Sequence, residues 1–165
     1  MRKRFLLAGL GLLIAVTVAA VAAQNAPKAQ APSAKKAATP TPAACGPNPP
    51  ADLRNVAQGS RCFELRTYTV RPGGQGDADL LHKRFREATM RFFQKHGMDV
   101  VGFWAPVSKP DTLVYVLAYE NAAARDRAWA AFSADPEWIK ARTEMAVDLT
   151  VTNEFMIATD YGPMK

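Results

Sequence analysis

Apolar side chains recur along residues 62–159 at two different spacings, and each spacing predicts a different kind of element. Cys62 to Val70 reads Cys-Phe-Glu-Leu-Arg-Thr-Tyr-Thr-Val, alternating and rich in β-branched and aromatic types. That pattern predicts a strand, ended by Arg71-Pro72-Gly73-Gly74. From Asp77, a suitable N-cap, the period becomes helical: Leu81, Phe85, Ala88 and Phe92 fall on one face, and the helix runs to about His96, where Gly97 supplies a left-handed stop. Residues 98–107 and 112–120 are two apolar runs joined by Ser108-Lys109-Pro110-Asp111, which is turn chemistry, so they predict an antiparallel hairpin. Asn121 caps a second helix carrying Ala128, Trp129 and Phe132. Asp135-Pro136 restarts the chain as a further helix, with Trp138, Ala141 and Met145 as its apolar stripe. Residues 150–159 alternate weakly and make the last strand.

The order strand, helix, strand, strand, helix, strand is the ferredoxin-like βαββαβ arrangement, an α+β sandwich with its helices on one side of the sheet. A solvated second face would require clean alternation. The hairpin does not provide it: Val100, Gly102 and Trp104 stand against Val101, Phe103 and Ala105, and Val114, Val116 and Ala118 against Leu113, Tyr115, Leu117 and Tyr119. Both faces are apolar, so the bare face needs a partner, and a two-fold copy is the simplest. The expectation is a homodimer, a dimeric α+β barrel.

Upstream of this domain the pattern changes twice. Arg2, Lys3 and Arg4 precede an uncharged stretch over residues 5–23 that ends in Val21-Ala22-Ala23 before Gln24, as a secretory signal peptide does; an uncleaved membrane anchor is the rival reading. Residues 24–51 hold seven prolines and nine alanines and almost no bulky apolar side chain, which predicts a disordered linker. The expected organisation is therefore signal peptide 1–23, linker 24–51 and folded domain 52–165, in a periplasmic or secreted protein. In an oxidising compartment Cys45 and Cys62, the two cysteines of the chain, either form a disulfide closing a short loop or remain two free thiols.

The net charge of +6 would ordinarily suggest nucleic acid or an anionic membrane. Its six excess cations are Arg2, Lys3, Arg4, Lys28, Lys35 and Lys36; beyond them 15 Lys and Arg face 15 Asp and Glu. The folded part is formally neutral, which excludes a phosphate-backbone footprint. A membrane contact is expected only if the N-terminal segment stays uncleaved.

Candidate chemistry is sparse. Glu64, Arg66 and Tyr68 share one face of the first strand, a polar row that either orients a ligand or forms a structural ion pair. His96 sits in the last helical turn, where a general base could stand but where a histidine also bonds free carbonyls. His82, beside Lys83, Arg84 and Arg86, reads as solvated. Trp104 and Tyr115 on the hairpin are the better candidates for an aromatic pocket, while Trp129 and Trp138 read as core. The sequence has no phosphate loop, dinucleotide glycine pattern, nucleophile elbow or metal-ligand spacing. No metal and no cofactor are expected.

Over about 100 residues from Phe63 the chain resembles the NIPSNAP family of the dimeric α+β barrel superfamily. The resemblance is carried by Glu64-Leu65-Arg66-Thr67-Tyr68, His96-Gly97, Val101-Gly102-Phe103-Trp104, Leu113-Val114-Tyr115, Ala128-Trp129 and Asp135-Pro136-Glu137-Trp138. Near the end, Tyr161 and Pro163 are kept, with Gly162 where the family usually has serine. The resemblance implies the fold, the dimer and a cavity between sheet and helices, with no assigned reaction. Two functions follow as expectations: a module that binds a small ligand or another protein, or a cofactor-independent monooxygenase or isomerase acting on a small aromatic or carbonyl compound. The candidate pocket is Glu64, Arg66, Tyr68, His96, Trp104 and Tyr115; in the enzymatic reading Tyr68, His96 and Trp104 line a cavity.

Overall fold

The computed structural model describes residues 45–164, so the signal-peptide reading and most of the linker lie outside the described residues. Strand β1 is Cys62–Val70. Helix α1 (Ala78–Arg84) passes through a π-helical turn (Phe85–Thr89) into α2 (Met90–Lys95). Strands β2 (Asp99–Trp104) and β3 (Thr112–Tyr119) form the hairpin, helices α3 (Ala122–Ala134) and α4 (Pro136–Glu144) follow, and β4 (Leu149–Ile157) closes the sheet. The sheet order is β2-β3-β1-β4, antiparallel throughout, which is the ferredoxin-like topology. Strand β1 lies at its centre, between β3 and β4.

The caps are where the sequence places them. Asp77 accepts from the Leu80 N–H, Asn121 from the Ala124 N–H, and Asp135 from the Glu137 and Trp138 N–H groups. Gly97 takes φ 68° after α2, the left-handed conformation that stops a helix without a Cβ penalty. Asp135 also receives Lys95 Nζ and His96 Nε2, each at 2.8 Å, so one side chain fastens the end of α2 to the start of α4. The hydrogen bond from Lys95 leads in holding its carboxyl well below the usual range; desolvation opposes, and His96 and the two cap N–H groups add to the lowering. A group lowered in the folded state stabilises above its unfolded value and loses that contribution as pH falls through the folded one. Asp135→Ala is expected to lower the thermal midpoint at neutral pH by roughly 5 °C, with the difference shrinking in acid; scanning calorimetry at pH 7 and pH 3 checks it.

Two features depart from simple periodicity. The π-helical turn inserts one residue, with the Met90 N–H donating to the Phe85 carbonyl. In β2 a bulge separates Val100, opposite Leu117, from Gly102, opposite Val116. Val100 and Phe103 therefore both pack on the helix-side core, whereas uninterrupted alternation puts them on opposite faces. The strand ends are also shorter than the apolar runs suggest, because Ala105 to Val107 continue past the last pairing with β3.

The folded part extends upstream of residue 52. Cys45 is bonded to Cys62, and the Cys45 carbonyl accepts from the Ala122 N–H at the head of α3. Gly46 makes this approach feasible: its φ is 125°, and a Cβ there would stand 3.1 Å from Asn121 Cα. Val56 bridges Thr159, and Ala57 and Ser60 are buried. The proline-rich composition that predicts a linker to residue 51 thus gives way at Cys45 to a segment held by a covalent bond and backbone pairing.

Helices cover one face of the sheet: Phe85 packs edge-on against Tyr68 and Tyr115, and Trp129 meets Phe93. The opposite face presents Leu65, Thr67, Val114 and Val116, with Val101 and Trp104 exposed; no described helix lies over it. Among the described residues no helix is long and apolar enough to cross a membrane.

Candidate functional site

Alternation along β1 turns Glu64, Arg66 and Tyr68 toward the helices. Glu64 is fully buried, and a bare carboxylate there would be costly. It is instead surrounded by donors. Arg125 of α3 grips it with both arms, Nη2 to Oε1 at 2.8 Å and Nε to Oε2 at 3.0 Å; Arg66 Nη1 donates to Oε1 at 2.6 Å; and Trp129 Nε1 donates to Oε2 at 2.8 Å. Burial pushes the Glu64 carboxyl up, but the Arg125 hydrogen bonds, the charges of Arg66 and Arg125, and Trp129 outweigh it, so the group sits below its ordinary value. The Arg66 guanidinium also lies 4.2 Å from the Trp129 ring centroid, a cation–π contact.

In front of this cluster, between the sheet and α1–α4, opens a cavity of about 550 Å³. Arg66 and Tyr68 form its floor from β1, and Phe85, Phe93, Trp129, Phe132 and Trp138 line it from the helices. Val151 of β4 and Arg142 and Thr143 of α4 lie at its solvent-exposed margin. Arg84 lines it as well and is 4% exposed. Its Nη1 donates to the Met145 carbonyl at 3.2 Å, while its Nε has no partner; the buried Arg66 Nε and Tyr115 hydroxyl are likewise unsatisfied. Burial pulls Arg84 below the usual guanidinium value; the nearby tyrosines, Tyr68 and Tyr115, oppose this and the charge of Arg142 adds to it.

The structure divides the six candidate residues. Arg66 and Tyr68 line the cavity, and Glu64 and Tyr115 sit behind them, Tyr115 with its ring 5.3 Å from that of Tyr68. His96 is elsewhere: its Nε2 is engaged with Asp135 and its ring stands edge-on to Phe132. It therefore binds the N-cap of α4 rather than the free carbonyls of its own helix. Trp104 is 51% exposed and borders a separate groove of about 300 Å³ with His82, Met90 and Leu113. His82 is half-buried in that groove rather than freely solvated.

Arg84, Arg125 and Trp129 were missed as site residues. Arg84 belongs sequentially with Lys83 and Arg86, a charge run that suggests solvent. Yet it stands three residues after Leu81 and four before Ala88, inside the apolar stripe, and that spacing was the signal. Trp129 reads as core by its spacing, but its ring is half-buried, lines the cavity and donates to Glu64. Arg125 had no sequence signal beyond the need of Glu64 for a partner.

The family model for NIPSNAP matches residues 63–163, spanning β1 through β4. The chain belongs to the NIPSNAP family. Solved structures share this NIPSNAP fold. A NIPSNAP family protein of unknown function from Agrobacterium tumefaciens superposes with a TM-score of 0.59 at 18% identity, covering 67% of this chain and 99% of that one. A NIPSNAP-like domain protein from Burkholderia xenovorans gives 0.55 at 20% identity, covering 63% and 90%. A second Agrobacterium tumefaciens family member gives 0.54 at 16%, covering 64% and 99%. No curated protein matches the chain. These likenesses carry the fold; the reading of the cavity rests on its own residues.

Proposed function

We propose that this NIPSNAP protein is a small-ligand-binding module, exported and homodimeric, whose site is the cavity between the sheet and the helices. The observation that carries the reading is the pairing of volume with unsatisfied chemistry. A cavity of about 550 Å³ falls in the size range of small-molecule pockets, and aromatic walls with a few converging polar groups are their usual lining. Buried polar atoms are normally paired; here the unpaired Arg66 Nε and Arg84 Nε belong to residues that line the cavity, and the unpaired Tyr115 hydroxyl lies just behind.

Binding is favoured over acid–base catalysis by the lining itself. None of the described lining residues is Asp, Glu, His, Lys or Cys, and among them Tyr68 alone belongs to the types that act as general acid or base. The histidine on which the enzymatic reading depends is held by Asp135 instead. Support for the dimer is the bare face around Leu65, Val114, Val116 and Trp104, and support for export is the N-terminal pattern together with the disulfide.

Native mass spectrometry of the protein from the exported fraction, beside a Val151→Trp variant, tests the proposal. Val151 is 43% exposed at the cavity margin on β4, a site where an aromatic side chain suits a strand. The wild type is expected as a dimer with a reproducible additional small mass, and the variant as a folded dimer without it. A protein empty in both forms, or one retaining the same mass in both, would count against the cavity as the site; a monomer would count against the dimer.

A further inference from the structure

The cavity carries more positive charge than its protein surroundings neutralise. Arg66 and Arg125 are matched by Glu64 and Asp126, with contacts of 2.6, 2.8 and 3.1 Å. Arg84 and Arg142 have no such match: among the described residues no carboxylate forms an ion pair with either. Two guanidinium groups, one of them almost fully buried, thus face the same space. A buried cation left with a single backbone acceptor is an unfavourable arrangement for a protein that only needs a filled core. It becomes favourable once a negative group shares the site, because charge-assisted hydrogen bonds to guanidinium are strong and directional.

The remainder of the wall limits what that negative group can be attached to. Phe85, Phe93, Phe132 and Trp138 line the space from the helices, an aromatic wall suited to contact with a flat apolar body. A polyanion such as a nucleotide phosphate would leave much of its charge against these rings. A single negative group at one end of an aromatic body satisfies both parts of the lining.

We propose that the ligand of this cavity is an aromatic carboxylate, its carboxylate held by Arg84 with Arg142 at the rim and its ring system packed among the phenylalanines and Trp138. The inference rests on the cavity being a ligand site and adds the charge and class of the ligand. Arg84 is the specificity-determining residue, since its Nε is closed off by packing and its Nη1 is engaged by Met145, and the guanidinium N–H groups left over meet the anion at the nearly buried side of the cavity. Arg142, exposed, contributes attraction at the mouth.

Isothermal titration of the full-length protein with 2-naphthoate and with its neutral isostere 2-naphthamide tests this. The carboxylate is expected to bind at least about 10-fold more tightly than the amide. Arg84→Met is expected to weaken naphthoate by about 10- to 100-fold while leaving naphthamide little changed, the range of a charge-assisted hydrogen bond. Arg142→Met, at an exposed position where the fold is not at stake, is expected to lose a smaller part of the preference and to make the remaining binding less sensitive to salt. Equal binding of the two probes by the wild type would overturn the carboxylate inference and leave the ligand-site reading standing. Absence of saturable binding for both would overturn the two together. A carboxylate preference that survives in both variants would overturn the assignment to Arg84 and Arg142.

Discussion

Glu64→Ala is expected to destabilise the folded domain by about 3–5 kcal/mol, the cost of removing one member of a buried ion pair. Among the described residues the carboxylate is the only acid shared by Arg66 and Arg125 at the centre of the sheet, and it also accepts from Trp129. Without it two guanidinium groups and an indole N–H face each other with no acceptor of matching charge. The consequence reaches the cavity, because Arg66 and Trp129 both line it; loss of Glu64 frees two of its lining side chains. Denaturant titration of the wild type, Glu64→Ala and Glu64→Gln checks the prediction. Gln keeps the shape and some hydrogen bonding, so its loss is expected to be smaller.

The same carboxylate sets part of the response to acid. Its folded-state value is lowered relative to about 4.3 for an unperturbed glutamate. Its contribution is therefore complete above that unfolded value and disappears as pH falls through the lower folded value. Wild-type stability is expected to decline below about pH 4 more steeply than that of Glu64→Gln, which has no proton to take up. Parallel slopes for the two proteins would show that the acid response lies elsewhere.

Reduction of the Cys45–Cys62 disulfide is the second large effect. The bridge joins positions 17 apart, and in the chain-entropy model closing a loop of that size contributes about 3 kcal/mol. For a folded portion of this length that corresponds to a fall in midpoint of roughly 10 °C. The loss is expected to be local in structure as well as in energy. The bridge holds the segment that reaches the head of α3 through Cys45 and Ala122, whereas no described cavity-lining residue belongs to that segment. Calorimetry of the full chain with and without reductant, alongside a Cys45→Ser and Cys62→Ser double variant, reads the shift. Ligand binding measured below the lowered midpoint is expected to persist; its loss would mean that the upstream segment supports the cavity.

How much of this was legible beforehand differs by element. Cys62–Val70 and the caps Asp77, Asn121 and Asp135 follow from local chemistry, because a strand's alternation and a cap's side-chain oxygen act on immediate neighbours. The bulge in β2 was not legible, since it arises from pairing with β3, and it places Val100 and Phe103 together on the core side. For the site, the polar row on β1 was visible, and so was its need for partners. The identity of those partners was not: Arg125 stands 61 positions from Glu64, and nothing local joins them. His96 shows the reverse error. Its position at a helix end suggested either a base or a carbonyl cap, yet contact with Asp135, 39 residues away, gives it a different task.

Sequence alone determined the order of elements, the family, the neutrality of the folded part and the pair of cysteines available for bonding, because periodicity, capping, composition and charge are properties of short windows or of sums. Tertiary structure decided that Glu64 is an anchor behind the cavity rather than a group within it, that Arg84 is buried rather than solvated, and that His96 and Trp104 lie apart from the cavity. Those outcomes depend on which face of one element meets which face of another, and on a π-helical turn and a bulge that each shift the register by a residue. A cavity is the space left between such faces, so its lining is set by packing at long range and not by spacing along the chain.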